Sequence, residues 1–167
     1  ALSPKLNCDP TKDRGAVGMG AESPYVIVAH PDSPYRTVAD IVRVAKADPS
    51  RPLPYGTAGV GSPSHLAMEQ LARLAGIKLE HITYRGTAPA LNDLLAGTTQ
   101  FGSYSLSGLL SLIQAQRVRV IAVMTPKRSP QLPDAPGMAE LGYPQVDSSI
   151  RFGLFAPAGT PADVVAK

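Results

Sequence analysis

The clearest pattern along the chain is the unbroken apolar run Tyr25-Val26-Ile27-Val28-Ala29, as in a strand buried on both faces. A shorter strand over residues 17–20 precedes it, with Ser23 and Pro24 between the two. Helical spacing then takes over. Val38, Ile41, Val42 and Ala45 fall on one face, Thr37 caps the segment, and Pro49 ends it after residue 48. Residues 53–56 form a short strand that runs into the glycine-rich turn Thr57-Ala58-Gly59-Val60-Gly61. Ser62 follows as N-cap and Pro63 as first helical residue. That helix carries Ala67, Leu71, Leu74 and Ala75 on one face and stops at Gly76.

The cycle repeats. Residues 81–84 read as a strand, and Arg85 and Gly86 as a turn. Thr87 is expected to cap a helix with Leu91, Leu94 and Leu95, which Gly97 ends. Residues 100–103 form a weak strand, after which Ser105 is expected to cap a helix holding Leu106, Leu109, Leu110 and Ile113. A strong strand over 118–124, at most one helical turn over 138–141 and a last strand over 151–156 complete the chain. Strands alternating with helices predict an α/β fold with a mainly parallel sheet flanked by helices. The 167 residues fit one domain, with the turn-rich opening 1–16 and the tail 157–167 as flanking segments.

Sheets of this kind bind ligands beyond the carboxyl ends of their strands. Three strand ends here share one device, a small polar turn followed by Ser or Thr: residues 57–62, 85–87 and 103–105. The first turn of a helix offers backbone N–H groups without intrahelical partners and a positive dipole end, which together suit an anion. In the first segment Thr57 and Ser62 add hydroxyls, and Ser64 and His65 supply the helix N–H donors because Pro63 has none. The same segment also reads as an ordinary strand–helix turn with a capping serine. Its glycines run G-x-x-G-x-G, which is neither the dinucleotide nor the P-loop pattern. No G-x-S-x-G elbow occurs.

Other candidates divide between chemistry and packing. His65, at the third helical position, reads as a packed or capping residue before a catalytic one. His30, His65 and His81 come with no ligand spacing that would build a metal site. Arg85 could hold a carboxylate bidentately or make a surface ion pair. Tyr84 reads as core or pocket wall, and Glu69 and Asp93 as solvated or capping carboxylates.

Composition narrows the class further. Hydrophobic residues make up 44% and charged residues 17%, a globular balance. The net charge of +3 is spread out, and Arg117 and Arg119 alternate with Val118 and Val120 as solvated strand positions. Without a basic run interleaved with aromatics, nucleic acid is not an expected partner. The one cysteine, Cys8, permits no internal disulfide and reads as incidental. No apolar run approaches about 18 residues, the length of a membrane span, and residues 1–9 lack a signal-peptide pattern.

The run Tyr55-Gly56-Thr57-Ala58-Gly59-Val60-Gly61-Ser62-Pro63-Ser64-His65-Leu66 resembles the second-lobe ligand loop of Bug-type receptors, the solute-binding component of tripartite tricarboxylate transporters. The likeness continues through Tyr84-Arg85-Gly86-Thr87-Ala88-Pro89-Ala90-Leu91-Asn92-Asp93-Leu94-Leu95-Ala96-Gly97. It resumes at Lys127-Arg128-Ser129-Pro130, at Leu132-Pro133-Asp134, and at Phe152-Gly153-Leu154-Phe155-Ala156-Pro157-Ala158-Gly159-Thr160-Pro161. Asp9-Pro10-Thr11-Lys12-Asp13 is similar to the segment before the crossing between lobes. The resemblance implies one lobe of a type II periplasmic binding-protein fold. It further implies a periplasmic location, capture of a small carboxylate without chemistry or cofactor, and delivery to membrane permease subunits. Carried over by motif, Thr57, Ala58, Gly59, Ser62 and His65 hold or shape the carboxylate loop, and Gly86, Thr87 and Ala88 line the next turn.

Three positions depart from the family pattern. Tyr104, before Ser105, stands where the family usually has Asp, and is expected to change pocket polarity; Arg14 and Arg151 stand where aromatics are common. The family's first lobe and final helices are not in this stretch, so the chain reads as an excised or separately folded second lobe. Its expected partners are the carboxylate, the permease, and the first lobe or a second copy. The competing readings are a self-associating or sensor module and an enzyme on a small acid; the latter lacks a nucleophile–base pair.

Overall fold

The computed structural model describes residue 9 and residues 12–166. Cys8, and Pro10 and Thr11 of the segment similar to the family's crossing, lie outside the described residues. The elements are β1 (Arg14–Ala29), α1 (Val38–Ala47), β2 (Leu53–Thr57), α2 (Pro63–Ala75), β3 (Leu79–Thr83), α3 (Thr87–Leu95), β4 (Phe101–Ser105), a 3-10 turn (Leu106–Gly108), α4 (Leu110–Gln114), β5 (Arg119–Val123), β6 (Ser149–Pro157) and α5 (Ala162–Val165). They fall into two compact units, one from Ser23 to Ile150 and one formed by the two ends, through Glu22 and from Arg151. These boundaries differ from the flanks 1–16 and 157–167 expected from composition, because long-range contacts rather than turn residues set them.

In the unit Ser23–Ile150 the sheet order is β3-β2-β4-β1-β5. β2 is parallel to β3 and β4, and β1 is antiparallel to β4 and β5. Helices cover both faces. Tyr25, Ile27 and Ala29 pack with Val38 and Ile41 of α1 and with Ala67, Met68 and Leu71 of α2. Val26 and Val28 pack with Ala90, Leu91 and Leu94 of α3 and with Leu106 and Leu109. The apolar run of β1 is thus unbroken because both of its faces are buried.

Several local expectations meet the structure directly. Thr37 caps α1 in a capping box completed by Asp40. Ser62 caps α2, Pro63 opens it, and Gly76 closes it in the left-handed conformation. Others need correction. The two expected N-terminal strands are one, β1. Its register with β4 begins at Tyr25, so no N–H is asked of Pro24 in that ladder. Residues 138–141 form turns, within the limit of one helical turn expected of them, and Gly137 bridges Val123. Arg119 is half-buried, and its guanidinium donates to the Ser33 carbonyl at 3.2 Å and to that of Pro31. Among the described residues no helix is long and apolar enough to cross a membrane.

The loop after β5 is pinned by an ion pair. Arg128 donates to Glu140 through Nε at 2.9 Å and Nη2 at 2.7 Å, and Gly137 N–H donates to the same carboxylate at 3.1 Å. These bonds, that from Arg128 first, push the Glu140 carboxyl down to about 2. A depressed carboxyl stabilises the fold above its ordinary range of about 4.3 and loses that contribution as pH falls toward its folded value. Glu140→Gln is therefore expected to flatten part of the acid slope of thermal stability; identical slopes in both proteins would refute this.

The other unit contains residues 14–22 of β1, most of β6, and α5. Met19, Phe152, Leu154 and Phe155 on this ribbon are all at least half exposed. Arg151, one of the departures from the family pattern, pairs with Glu22 at 3.3 Å.

Candidate functional site

β2, β3 and β4 run in one direction, so the three turns singled out in the sequence leave one edge of the sheet together. The first turn is tightly self-bonded. Gly59 and Gly61 have φ of +148° and +73°, backbone states that side-chain-bearing residues rarely adopt. Thr57 is fully buried, and its Oγ1 accepts from Gly59 N–H at 3.3 Å. Ser62 Oγ donates to the Gly59 carbonyl at 2.8 Å and accepts from His65 N–H at 3.3 Å. Ser64, also buried, shares a 3.1 Å contact between its hydroxyl and that of Ser62.

The backbone N–H of His65, expected as a donor to an anion, is therefore committed to the cap. The His65 ring closes the turn from the other side, its Nδ1 accepting from Gly61 N–H at 3.0 Å. The ring thus braces the glycine turn through its Nδ1. Ser62→Ala removes the cap of α2 and a bond to Gly59 together. It is expected to cost about 1 kcal/mol, read from urea unfolding; an unchanged midpoint would sink the capping assignment.

The second turn is tied to the first, Gly86 N–H donating to the Ala58 carbonyl at 2.9 Å. Gly86 holds the N-cap position of α3 at φ +108°, and Thr87 is the first helical residue. The expected Thr87 cap is thus displaced by one residue, since the chain must turn at Gly86 to reach Ala58. Thr87 and Ala88 sit in the first turn of α3. Tyr84, half-buried, donates to Asp93 at 2.7 Å; burial foremost, with that bond, pushes its phenol up to about 12. Arg85, exposed, is the only charged residue in the three turns.

At the third turn Ser105 makes no side-chain cap, and the expected single helix is a 3-10 turn followed by the short α4. The Ser105 hydroxyl instead meets Ser23 at 3.2 Å and Ser107 at 2.9 Å, and Ser107 N–H donates to Ser23 Oγ at 3.1 Å. Tyr104 is 1% exposed, with its hydroxyl donating to the Ala90 carbonyl at 3.3 Å. Burial raises its pKa. The expectation that Tyr104 changes pocket polarity is corrected by this geometry. Alternation along β4 turns its ring into the core against α3.

Two residues escaped the sequence reading. Ser23 reaches the end of β4 only through the antiparallel pairing of β1, which no local pattern announces. His81 lies under the first turn, its Nε2 2.7 Å from Thr57 Oγ1. The parallel register Thr57↔Thr83 brings it there. Among the described residues no three His, Cys, Asp or Glu side chains could hold a metal ion. Two cavities of the unit lie elsewhere. One of about 460 Å³ has Arg36, Val120, Leu132 and Pro133 in its wall, and one of about 440 Å³ has Tyr35, Val44 and Arg51.

Comparison with known proteins finds a family match along almost the whole chain. The family described as tripartite tricarboxylate transporter family receptor matches residues 2–167. A protein of Pseudomonas sp. strain P51, described as the UPF0065 protein in the tcbD-tcbE intergenic region, is 36% identical over 97% of this chain and 48% of its own length. The structure of R. palustris Rpa4515 with adipate matches with a TM-score of 0.87 and 33% identity, over 97% of this chain and 54% of that one. The periplasmic binding protein BugD matches with a TM-score of 0.78 and 33% identity, over 91% and 50%. The chain thus spans about half the length of the proteins it matches.

Proposed function

Since the chain belongs to the tripartite tricarboxylate transporter receptor family, we propose that it forms one lobe's ligand face and holds a small carboxylate at the first turns of α2 and α3. The observation that carries this reading is the Gly86–Ala58 bond, which makes one continuous edge of two helix starts. Thr57, Ala58, Gly59, Ser62 and Ser64 shape the first half of the edge, with His65 closing the loop. Gly86, Thr87 and Ala88 form the second half, and Ser105 stands with Ser23 and Ser107 at the third turn. Backbone N–H groups and hydroxyls solvate the anion there, and the helix dipoles favour it. The solved relative that carries adipate supports the ligand class.

In this reading the protein captures its ligand without turning it over and passes it to the permease, in the periplasm where BugD acts as a binding protein. The remainder of such a receptor supplies the second side of the site. Within its own unit, the exposed apolar ribbon of Met19, Phe152, Leu154 and Phe155 favours an apolar partner, the first lobe or a second copy.

Hydrogen bonds at an open edge compete with water and contribute little net energy. The 167-residue chain by itself is expected to bind adipate with a Kd of about 1 mM or weaker, equivalent to roughly 4 kcal/mol. Calorimetry combined with sedimentation checks this. Micromolar binding by a monomer would overturn the half-site reading, and silence even at about 50 mM adipate would overturn the carboxylate reading.

A further inference from the structure

Two imidazoles lie face to face beneath the glycine turn. His65 of α2 and His81 of β3 stack with ring centroids 4.0 Å apart at 23°. Each commits one nitrogen to the turn. His65 Nδ1 accepts from Gly61 N–H, so the neutral ring carries its proton on Nε2, the nitrogen 4.0 Å from Glu69 Oε1. His81 Nε2 meets Thr57 Oγ1, the atom that in turn holds Gly59 N–H. Both glycines of the turn therefore depend on the pair, Gly61 directly and Gly59 through Thr57.

The groups facing the pair are few. Tyr55 of β2 lies 5.2 Å from the His81 ring, centroid to centroid. Glu69 of α2 faces His65 and accepts from the Tyr55 hydroxyl at 2.7 Å. Glu69 is also the one carboxylate felt by His81.

We propose that His65 and His81 are positioning residues that hold the ligand turn in shape only while both rings are neutral, so that carboxylate binding weakens on acidification. The inference rests on reading this turn as the carboxylate site. A proton added to His65 lands on Nδ1 and converts the acceptor of Gly61 N–H into a donor. A proton on either ring places a cation against the other at stacking distance. Burial, and then His65, lower the His81 pKa against the opposing pull of Glu69. A depressed histidine keeps its contribution above the ordinary range and loses it as pH falls through that range toward the folded value.

The experiment is adipate titration of the wild type, His65→Asn and His81→Gln between about pH 5.5 and pH 8. Asn and Gln keep a hydrogen-bonding atom near Nδ1 and Nε2, respectively, but cannot titrate there. Each protein is compared with its own affinity at the alkaline end, and the wild type is expected to lose about tenfold more across the window than either variant. Because the titration of adipate itself is common to all three, it cancels. One shared pH profile, or a smaller loss of affinity in the wild type than in the variants, overturns the inference.

A second measurement needs no ligand. Hydrogen exchange at the Gly61 amide is expected to quicken about tenfold in His65→Ala and to recover in His65→Asn. Unchanged exchange in His65→Ala overturns the inference even where adipate binds. Quickened exchange in a protein that binds no adipate upholds the role of His65 in the turn and refutes the carboxylate reading instead.

Discussion

Gly102→Ala is expected to lower stability by about 3 kcal/mol, the upper end of ordinary overpacking. The added methyl would lie 2.6 Å from the Gly56 carbonyl oxygen and 2.6 Å from the Tyr104 hydroxyl. The first of these neighbours is backbone in the adjacent parallel strand and cannot give without disturbing the β2–β4 pairing. The second is a buried phenol already bonded to Ala90. Gly56 offers a contrast on the same ring. A methyl there meets the Tyr104 hydroxyl at 2.7 Å, with the ring of Tyr84 next at 3.4 Å. Removing the hydroxyl with Tyr104→Phe should therefore rescue most of the Gly56→Ala defect and little of the Gly102→Ala defect. Denaturant unfolding of the two double-mutant cycles decides the matter. Equal rescue at both positions would show that the phenol and not the strand backbone sets the cost.

Gly59→Ala is expected to abolish measurable adipate binding while costing about 2 kcal/mol of stability. At φ +148° a side chain is strained wherever it points, and the new methyl would meet the Tyr84 carbonyl at 3.3 Å. Relief requires the turn to change shape. That turn places the Gly59 carbonyl under the Ser62 hydroxyl and N–H, and its N–H on Thr57. Gly61→Ala, at φ +73°, occupies the ordinary left-handed region and should cost only about 1 kcal/mol. The order of the two effects is the test. Wild-type affinity in a folded Gly59→Ala protein would mean that the anion does not use this turn.

Much of this was legible along the chain, and the reason is locality. A cap, a proline at the first helical position and a left-handed glycine act within four residues, so Thr37, Ser62, Pro63 and Gly76 mark their helix ends without help from the rest of the protein. The apolar run of β1 announced burial on both faces for the same reason. The three polar strand ends could be seen as one set because parallel strands must end on the same side. The long motifs from Tyr55 and Tyr84 carried the family likeness that the comparisons establish.

What only the tertiary structure decided is whatever depends on residues far apart in sequence. Thr87 looks like a cap, but the bond from Gly86 to Ala58 moves the helix start by one residue. Ser105 looks like another, but Ser23, brought alongside by β1, takes its hydroxyl. Tyr104 sits in a strand-end motif, yet strand alternation turns its ring inward, where Gly56 on the neighbouring strand and Gly102 on its own leave room for it. His81 carries no motif of its own and gains its place under Thr57 from the register of β3 on β2. Local chemistry set which segments become strands, helices and turns. Sheet pairing, a long-range and cooperative choice, set which of their polar groups meet one another at the strand ends.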